Sequence, residues 1–283
     1  MAGVASAQLA IAVAAAGGIG MLSGTGGSKD LSAQLDEVGA AGPIGVNFLV
    51  PFLDRAALEE AASRASFVEL FWGTPDRQLV AAASEGGART GWQVGSADEA
   101  RAARDAGCDI VIAQGVEAGG HVRGVVGLLP LLEEVQSAVD LPVMAAGGIG
   151  TGRAMAAALI AGAGGVRIGT RFVAAVEAMA HPAYVDALIE ARAQDTVLTT
   201  AFGTGWPDAP HRVLRACIEA GEGLGSAQVW TPNWPSVGYA GAAEARALYA
   251  GQSVGAVRAR QSAAEIVAEV MQEAEAVIAA DRS

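Results

Sequence analysis

The chain has 283 residues, 52 % of them hydrophobic and 17 % charged, with 38 glycines and a formal net charge of −12. That length fits one large α/β barrel or two smaller domains, and the apolar content is ample for a packed core, which excludes a disordered chain. The acidic balance argues against nucleic acid or an anionic membrane surface as partner, so an anionic ligand must be met locally by backbone N–H groups, helix starts and a few arginines.

Residues 1–22 carry no charge. They lack the basic start of a secretory signal, and Gly17-Gly18 interrupts the apolar run before it could span a bilayer. A buried helix over 6–16 and a strand over 19–22 explain them better. The two isolated cysteines, Cys108 and Cys217, have no metal-ligand spacing, which suits a reducing, cytoplasmic setting. The pattern continues with a helix over 30–38 and a strand over 43–49, with Asn47 near its C-terminal end. Helices over 54–64, 75–84 and 97–106 (behind Ser96 as N-cap) alternate with strands over 67–71, 89–94 and 109–113. A glycine-rich loop at 115–124, a helix over 128–139, a strand over 142–145, a helix over 151–161 and a strand over 165–168 complete the series.

Regular βα alternation with short apolar strands predicts a parallel sheet covered by helices. Seven strands are legible where a (β/α)8 TIM barrel has eight, so the reading is a barrel lacking its first strand, with residues 1–175 as its core. Beyond 172 the pattern changes to helices over 181–191, 214–220, 242–250 and 263–279, with one short strand at 196–200 and Gly/Trp/Pro-rich connections at 203–211 and 221–235. Residues 176–283 are read as a helical cap over the C-terminal face of the barrel, within a single domain.

Two glycine-rich strand ends, Gly147-Gly148 and Gly169-Thr170, flank one helix. In a parallel βαβ unit both ends lie on one edge of the sheet, where their free N–H groups can converge on one anion. Barrels favour a phosphate site after their last two strands. Tight packing would explain either turn alone; the pair favours a cradle for the phosphate of a flavin or a sugar.

The segment AQGVEAGGHVRG at 113–124 follows the strand at 109–113. Gln114 stands at that strand's C-terminal tip, where its amide can both donate and accept. His121 comes seven residues later, beyond Gly119-Gly120, on a loop able to bring the imidazole into the barrel mouth. A histidine near its ordinary pKa there suits proton abstraction beside a carbonyl-like or nitro group, against the plainer alternative of a surface-loop histidine. His181, before Pro182, and His211, after Pro210, have structural explanations at a helix start and in a loop.

With these motifs in order, the chain resembles the nitronate monooxygenase family, formerly 2-nitropropane dioxygenases, which are FMN-dependent (β/α)8 flavoproteins. GVN at 45–47, AQGVEAGGH at 113–121, AAGGI at 145–149, GTRF at 169–172 and AGQSVG at 250–255 carry the resemblance. It implies His121 as the active-site base, with Asn47, Gln114 and Gly119 against the flavin. It places Gly148, Arg167, Ile168, Gly169 and Thr170 around the ribityl phosphate, with Gly147 adjacent. The implied cofactor is FMN, with a nitronate or nitroalkane and O2 as small-molecule partners and no metal. The implied reaction gives a carbonyl compound plus nitrite, through one-electron transfer to the flavin.

Two departures stand out. The family's first strand ends in Ala-Pro-Met, and Met1 falls on that methionine, so the strand and its flavin contacts are read as absent. Lys29 is the sole lysine, whereas the best-studied bacterial members carry one in a C-terminal motif. The segment GWPDAPHRVLR at 205–215 fits a related branch with a different substrate. Two alternatives therefore stay open: an NAD(P)H-dependent flavin reductase acting on quinones or enoyl thioesters, and an inactive flavin-binding protein. Homo-oligomer formation and the physiological substrate are left open by the sequence.

Overall fold

The structure is a computed structural model describing residues 3–281. In chain order the strands are β1 (Gly20–Ser23), β2 (Ile44–Leu49), β3 (Phe67–Phe71), β4 (Arg89–Val94), β5 (Ile110–Gln114), β6 (Gly120–His121), β7 (Val143–Ala146), β8 (Gly165–Arg167), β9 (Thr196–Thr199) and β10 (His211–Leu214). Strands β1-β2-β3-β4-β5-β7-β8 pair in that order in one parallel sheet, the seven that the sequence pattern predicts. Among the described residues no strand pairs β8 with β1, so the curled sheet is open on that side. Met1, placed by the resemblance at the end of a lost strand, lies outside the described residues.

Helices α1 (Ala7–Ala15), α2 (Ser28–Val38), α3 (Arg55–Arg64), α4 (Arg77–Ser84), α5 (Ala97–Ala106), α6 (Leu128–Ala138) and α7 (Gly152–Ile160) form the outer layer. Their starts follow from local chemistry. The side chains of Ser6, Asp54, Asp76, Ser96 and Thr151 each accept a hydrogen bond from a first-turn N–H, satisfying donors that a helix leaves open. α5 ends on Gly107 in the left-handed region, φ 99°, where a side chain would be strained.

The central strands β3, β4 and β5 are buried on both faces, as a parallel sheet under helices requires. A Cβ on Gly45 would meet Met21 and Phe67, and one on Gly91 would meet Phe67 and Ile112, so these residues line the barrel interior. The register Ser23↔Asn47↔Glu69 continues that inner face one layer higher, and β8 contributes Arg167, aligned with Ala146 and Gln114. β3 and β8 are not neighbours in the sheet, yet Glu69 Oε2 and Arg167 Nε lie 2.7 Å apart. That ion pair therefore crosses the interior.

The remaining helices are α8 (Thr170–Val173), α9 (Pro182–Glu190), α10 (Arg215–Leu224) and α11 (Ala263–Asp281). The reading of 176–283 as an all-helical cap needs correction. β6, β10 and β9 form a small antiparallel sheet over the barrel mouth, with His211 opposite His121 and Thr199. The helix read over 242–250 is only a 3-10 turn, Ala243–Ala245, followed by extended chain. Leu214 N–H donates to Leu248 O and Ala250 N–H to Arg212 O. This strand-like pairing with β10 overrides the helix propensity of an alanine-rich stretch. No described helix is long and apolar enough to cross a membrane.

Candidate active site

His121 sits where the small sheet covers the barrel mouth. Its ring stacks on Trp206 with centroids 4.2 Å apart and 29° between planes. His211, Tyr249 and Trp72 surround it at 5.3, 5.7 and 5.9 Å. Trp72, just after β3, has φ 70°, the one non-glycine positive φ among the described residues; so strained a backbone in a bulky residue is characteristic of functional sites. His121 Nε2 is buried without a hydrogen-bond partner, a costly state for a polar atom unless something binds there. Burial, then the neighbouring His211, pushes the His121 imidazole down to about 3. This corrects the expectation of a histidine near its ordinary pKa. The ring is neutral throughout the usual pH range because the aromatic box strips it of water.

Gln114 is buried at the tip of β5, but its amide is engaged by its own loop. Nε2 donates to His121 O at 2.9 Å and Oε1 accepts from Arg123 N–H at 3.3 Å. The side chain thus fixes the stretch that presents His121. Arg212, buried in β10, holds the base of the same loop by donating to Val116 O at 2.8 Å. Glu117 accepts the N–H of Leu128 and so caps α6. Arg123 pairs with Glu99 and lies over the Trp72 ring at 5.6 Å.

The two glycine turns do come together on the upper edge of the sheet. Gly147 and Gly148 both have positive φ, 98° and 70°. A Cβ on Gly147 would lie 2.9 Å from Gly115 O, and one on Gly148 3.2 Å from the Glu117 side chain. The turn is therefore pressed against the His121 loop and tolerates only glycine. Among the described residues no acceptor faces the N–H of Gly148 or Gly169. Thr170 Oγ1 accepts from Gly251 N–H at 3.0 Å, and a Cβ on Gly119 would lie 2.4 Å from Gly251 N. The segment 250–255 thus closes over both the loop and the cradle. The start of α7 is different: Gly152 N–H donates to Glu273 of α11 and Ala154 N–H to Thr151. Those donors are already satisfied, so the N–H groups left open at this edge are those of the turns.

Asn47 and Arg167 stand below, in the barrel. Asn47 Nδ2 donates to Glu69 Oε1 at 2.8 Å, and Glu69, fully buried, holds Arg167 from the other side. The Arg167 side chain points inward, away from the turn that its neighbours Ile168, Gly169 and Thr170 form. Sequence reasoning missed Glu69, Trp72, Trp206, Arg212 and Tyr249. One signal was available: a lone carboxylate at the centre of the apolar strand FVELF is rare unless paired. The aromatic box had none, because its members come from four separate segments.

The other histidines have structural roles. His181 accepts the Ala183 N–H at the start of α9. His211, fully buried, accepts the Phe202 N–H at Nε2 and meets Ala209 O at Nδ1, 2.9 Å away, so one neutral ring ties both ends of the 203–210 loop. Both cysteines are buried and free, and burial pushes each thiol up to about 12.

Comparison with known proteins agrees with this fold. A family model described as nitronate monooxygenase matches residues 52–273. The chain is 34 % identical to nitronate monooxygenase npaC of Metarhizium robertsii, over 95 % of this chain and 88 % of that one. It is 38 % identical to (3aS,4S,5R,7aS)-5-hydroxy-7a-methyl-1-oxo-octahydro-1H-indene-4-carboxyl-CoA dehydrogenase of Mycobacterium tuberculosis, over 75 % of this chain. That match spans 60 % of the mycobacterial enzyme's length. The solved structure of FabK from Thermotoga maritima superposes with a TM-score of 0.85 at 31 % identity, over 100 % of this chain and 93 % of that one.

Proposed function

We propose that this chain, which belongs to the nitronate monooxygenase family, binds FMN and oxidises nitroalkanes or their nitronates with O2 to a carbonyl compound and nitrite. The observation that carries the reading is His121: a neutral imidazole with a buried, unpartnered Nε2, beside a glycine cradle whose N–H groups lack acceptors. The cradle suits the cofactor's phosphate in both shape and charge. Gly147 and Gly148 leave backbone exposed where a Cβ would intrude, and Ile168, Gly169 and Thr170 supply the second turn. Gly119 keeps the wall low where segment 250–255 crosses it. Asn47 and Arg167, held by Glu69, present polar groups from the barrel interior to the ring system. Gln114 acts through the backbone, fixing the His121 loop. A bound flavin would supply the redox centre, taking electrons from the substrate and passing them to O2.

His121 then does the chain's own chemistry. Being neutral, it can accept the proton on the carbon bearing the nitro group when Nε2 is the unprotonated nitrogen, or, as the Nε2–H tautomer, donate to the nitro oxygens of a substrate that arrives ionised. Its low basicity in the closed box means that proton abstraction needs the charge created to be shared with a polarised substrate. The aromatic wall excludes water while this happens.

A second reading, oxidoreduction of an acyl thioester, draws on the mycobacterial relative, whose name specifies a carboxyl-CoA substrate. Anaerobic stopped-flow absorbance separates the two. Bleaching of the flavin band by a nitronate, and slow or no bleaching by NADH, is the expected result. Rapid bleaching by NADH with none by a nitronate would overturn the proposal in favour of the reductase.

A further inference from the structure

Glu69 is the one buried carboxylate among the described residues, at the centre of β3 on the inner face of the barrel. The interior beneath it is apolar, with Met21, Phe67 and Ile112 meeting around Gly45 and Gly91. Glu69 Oε1 accepts from Asn47 Nδ2 at 2.8 Å, and Oε2 lies 2.7 Å from Arg167 Nε. Neither atom of the second contact finds a well-aligned hydrogen bond, so what joins Glu69 to Arg167 is charge. The Arg167 side chain keeps 27 % exposure, and among the described residues its two terminal nitrogens make no hydrogen bond. Replacing a buried ion pair by apolar side chains is often neutral or stabilising, so the stability of the barrel does not account for this one. A guanidinium that commits only one nitrogen to its counter-charge has a fork of donors left for something else.

The place of that fork is set by β8. Arg167 lies on the strand that runs into Gly169 and Thr170 of the cradle, and its register partner Ala146 leads into Gly147. With the cofactor's phosphate in the turns, Arg167 stands under the mouth that the same cofactor's ring system must cover. We infer that Arg167 meets the flavin ring and stabilises the negative charge the ring gains on reduction. Glu69 is the positioning residue: it fixes the guanidinium and offsets part of its charge, so that the pair sets the reduction potential. The inference rests on the proposed FMN site. Electrons still come from the substrate and leave to O2; the pair takes up none and biases only the balance between oxidised and reduced cofactor. A cation beside the reduced ring raises its potential, and an anion there lowers it. Losing the Glu69 charge leaves Arg167 unopposed, and losing the Arg167 charge leaves Glu69 unopposed. The two losses therefore act in opposite directions, which a purely structural role of the pair does not produce.

The test is the reduction potential of the full-length, FMN-loaded protein, measured anaerobically at neutral pH against an indicator dye and without substrate. The readout is the ratio of oxidised to reduced flavin at a fixed potential, where tenfold corresponds to about 30 mV for a two-electron couple. Glu69→Gln should shift that ratio at least about tenfold towards reduced flavin, and Arg167→Gln at least about tenfold towards oxidised flavin. The double variant should return to within about threefold of the wild type. The two single variants moving in the same direction, or neither moving by more than about twofold, would overturn the inference. If Glu69→Gln does not fold, Arg167→Lys against Arg167→Gln decides the matter. The lysine keeps the charge and should stay within about threefold of the wild type, and equal potentials in those two variants would overturn the inference. A wild-type protein that takes up no FMN sinks the proposed cofactor before any variant is made, and this inference with it. Opposed shifts with no nitrite formed from any nitroalkane would sink the proposed reaction and leave this inference standing.

Discussion

At the scale of single residues, Glu69, which holds Arg167 across the barrel, is the clearest case of a group that the sequence does not announce. Removing one partner of a buried pair leaves the other uncompensated. Glu69→Gln should destabilise the fold by about 2–3 kcal/mol, below the figure for a fully buried pair because Arg167 keeps 27 % side-chain exposure. Urea unfolding measures it, and a variant as stable as the wild type would show that Arg167 does not depend on Glu69. His121 and His211 make a pH prediction. Burial lowers both, so below the ordinary value of 6.5 the unfolded chain takes up protons that the folded chain refuses. The His121 contribution to stability is complete above pH 6.5 and is lost as pH falls from there towards about 3; that of His211 is likewise lost as pH falls below 6.5. Histidine NMR resolves it: the His121 signal should still be neutral at pH 5. A midpoint near 6.5 would mean that the ring is open to water.

At the scale of elements, the closure of segment 250–255 over the His121 loop rests on glycine. Gly119→Ala would place a methyl 2.4 Å from Gly251 N, backbone that cannot yield cheaply. Flavin affinity should fall about tenfold or more, with a cost of about 1–3 kcal/mol in stability. Gly255→Ala is the control, since nothing lies within 4 Å of its Cβ; its effect should stay within about 0.5 kcal/mol. Equal effects of the two substitutions would remove the close approach from the account. The βα elements were legible because their signals are local: a capping Ser, Thr or Asp, an apolar run, then a glycine. Three of the βα boundaries matched residue for residue, at 67–71, 89–94 and 97–106. The cap was not legible in the same way. β6 is two residues long and exists only because β10 pairs with it, and the alanine-rich 242–250 stretch is held extended by β10 and by Tyr184 donating to Tyr249 O. Those partners are remote in sequence.

At the scale of the whole molecule, the barrel and cap divide the work. The barrel brings the two glycine turns, Gln114 and the Glu69-held polar groups to one edge, and the cap lowers His211, Trp206 and Tyr249 onto His121. Motif order placed the two glycine turns and His121 at the same end of the sheet, since each lies within a few residues of a strand end. The aromatic walls lie outside any motif, and the low basicity of His121 follows from burial that only the assembled cap produces. Binding of the cofactor to the folded state alone should also raise stability: the apo protein should melt several degrees below the FMN-loaded protein, and an unchanged Tm on adding FMN would count against the cradle.

The central claim is that His121 does proton chemistry on a nitro compound next to bound FMN. It is tested most directly by nitrite release from a neutral nitroalkane by flavin-loaded wild-type and His121→Asn proteins. The expected result is nitrite and carbonyl product in equal amounts from the wild type, and a rate at least about 10²-fold lower in the variant with its flavin spectrum intact. Equal rates in the two proteins, or no nitrite from the flavin-loaded wild type, would contradict it.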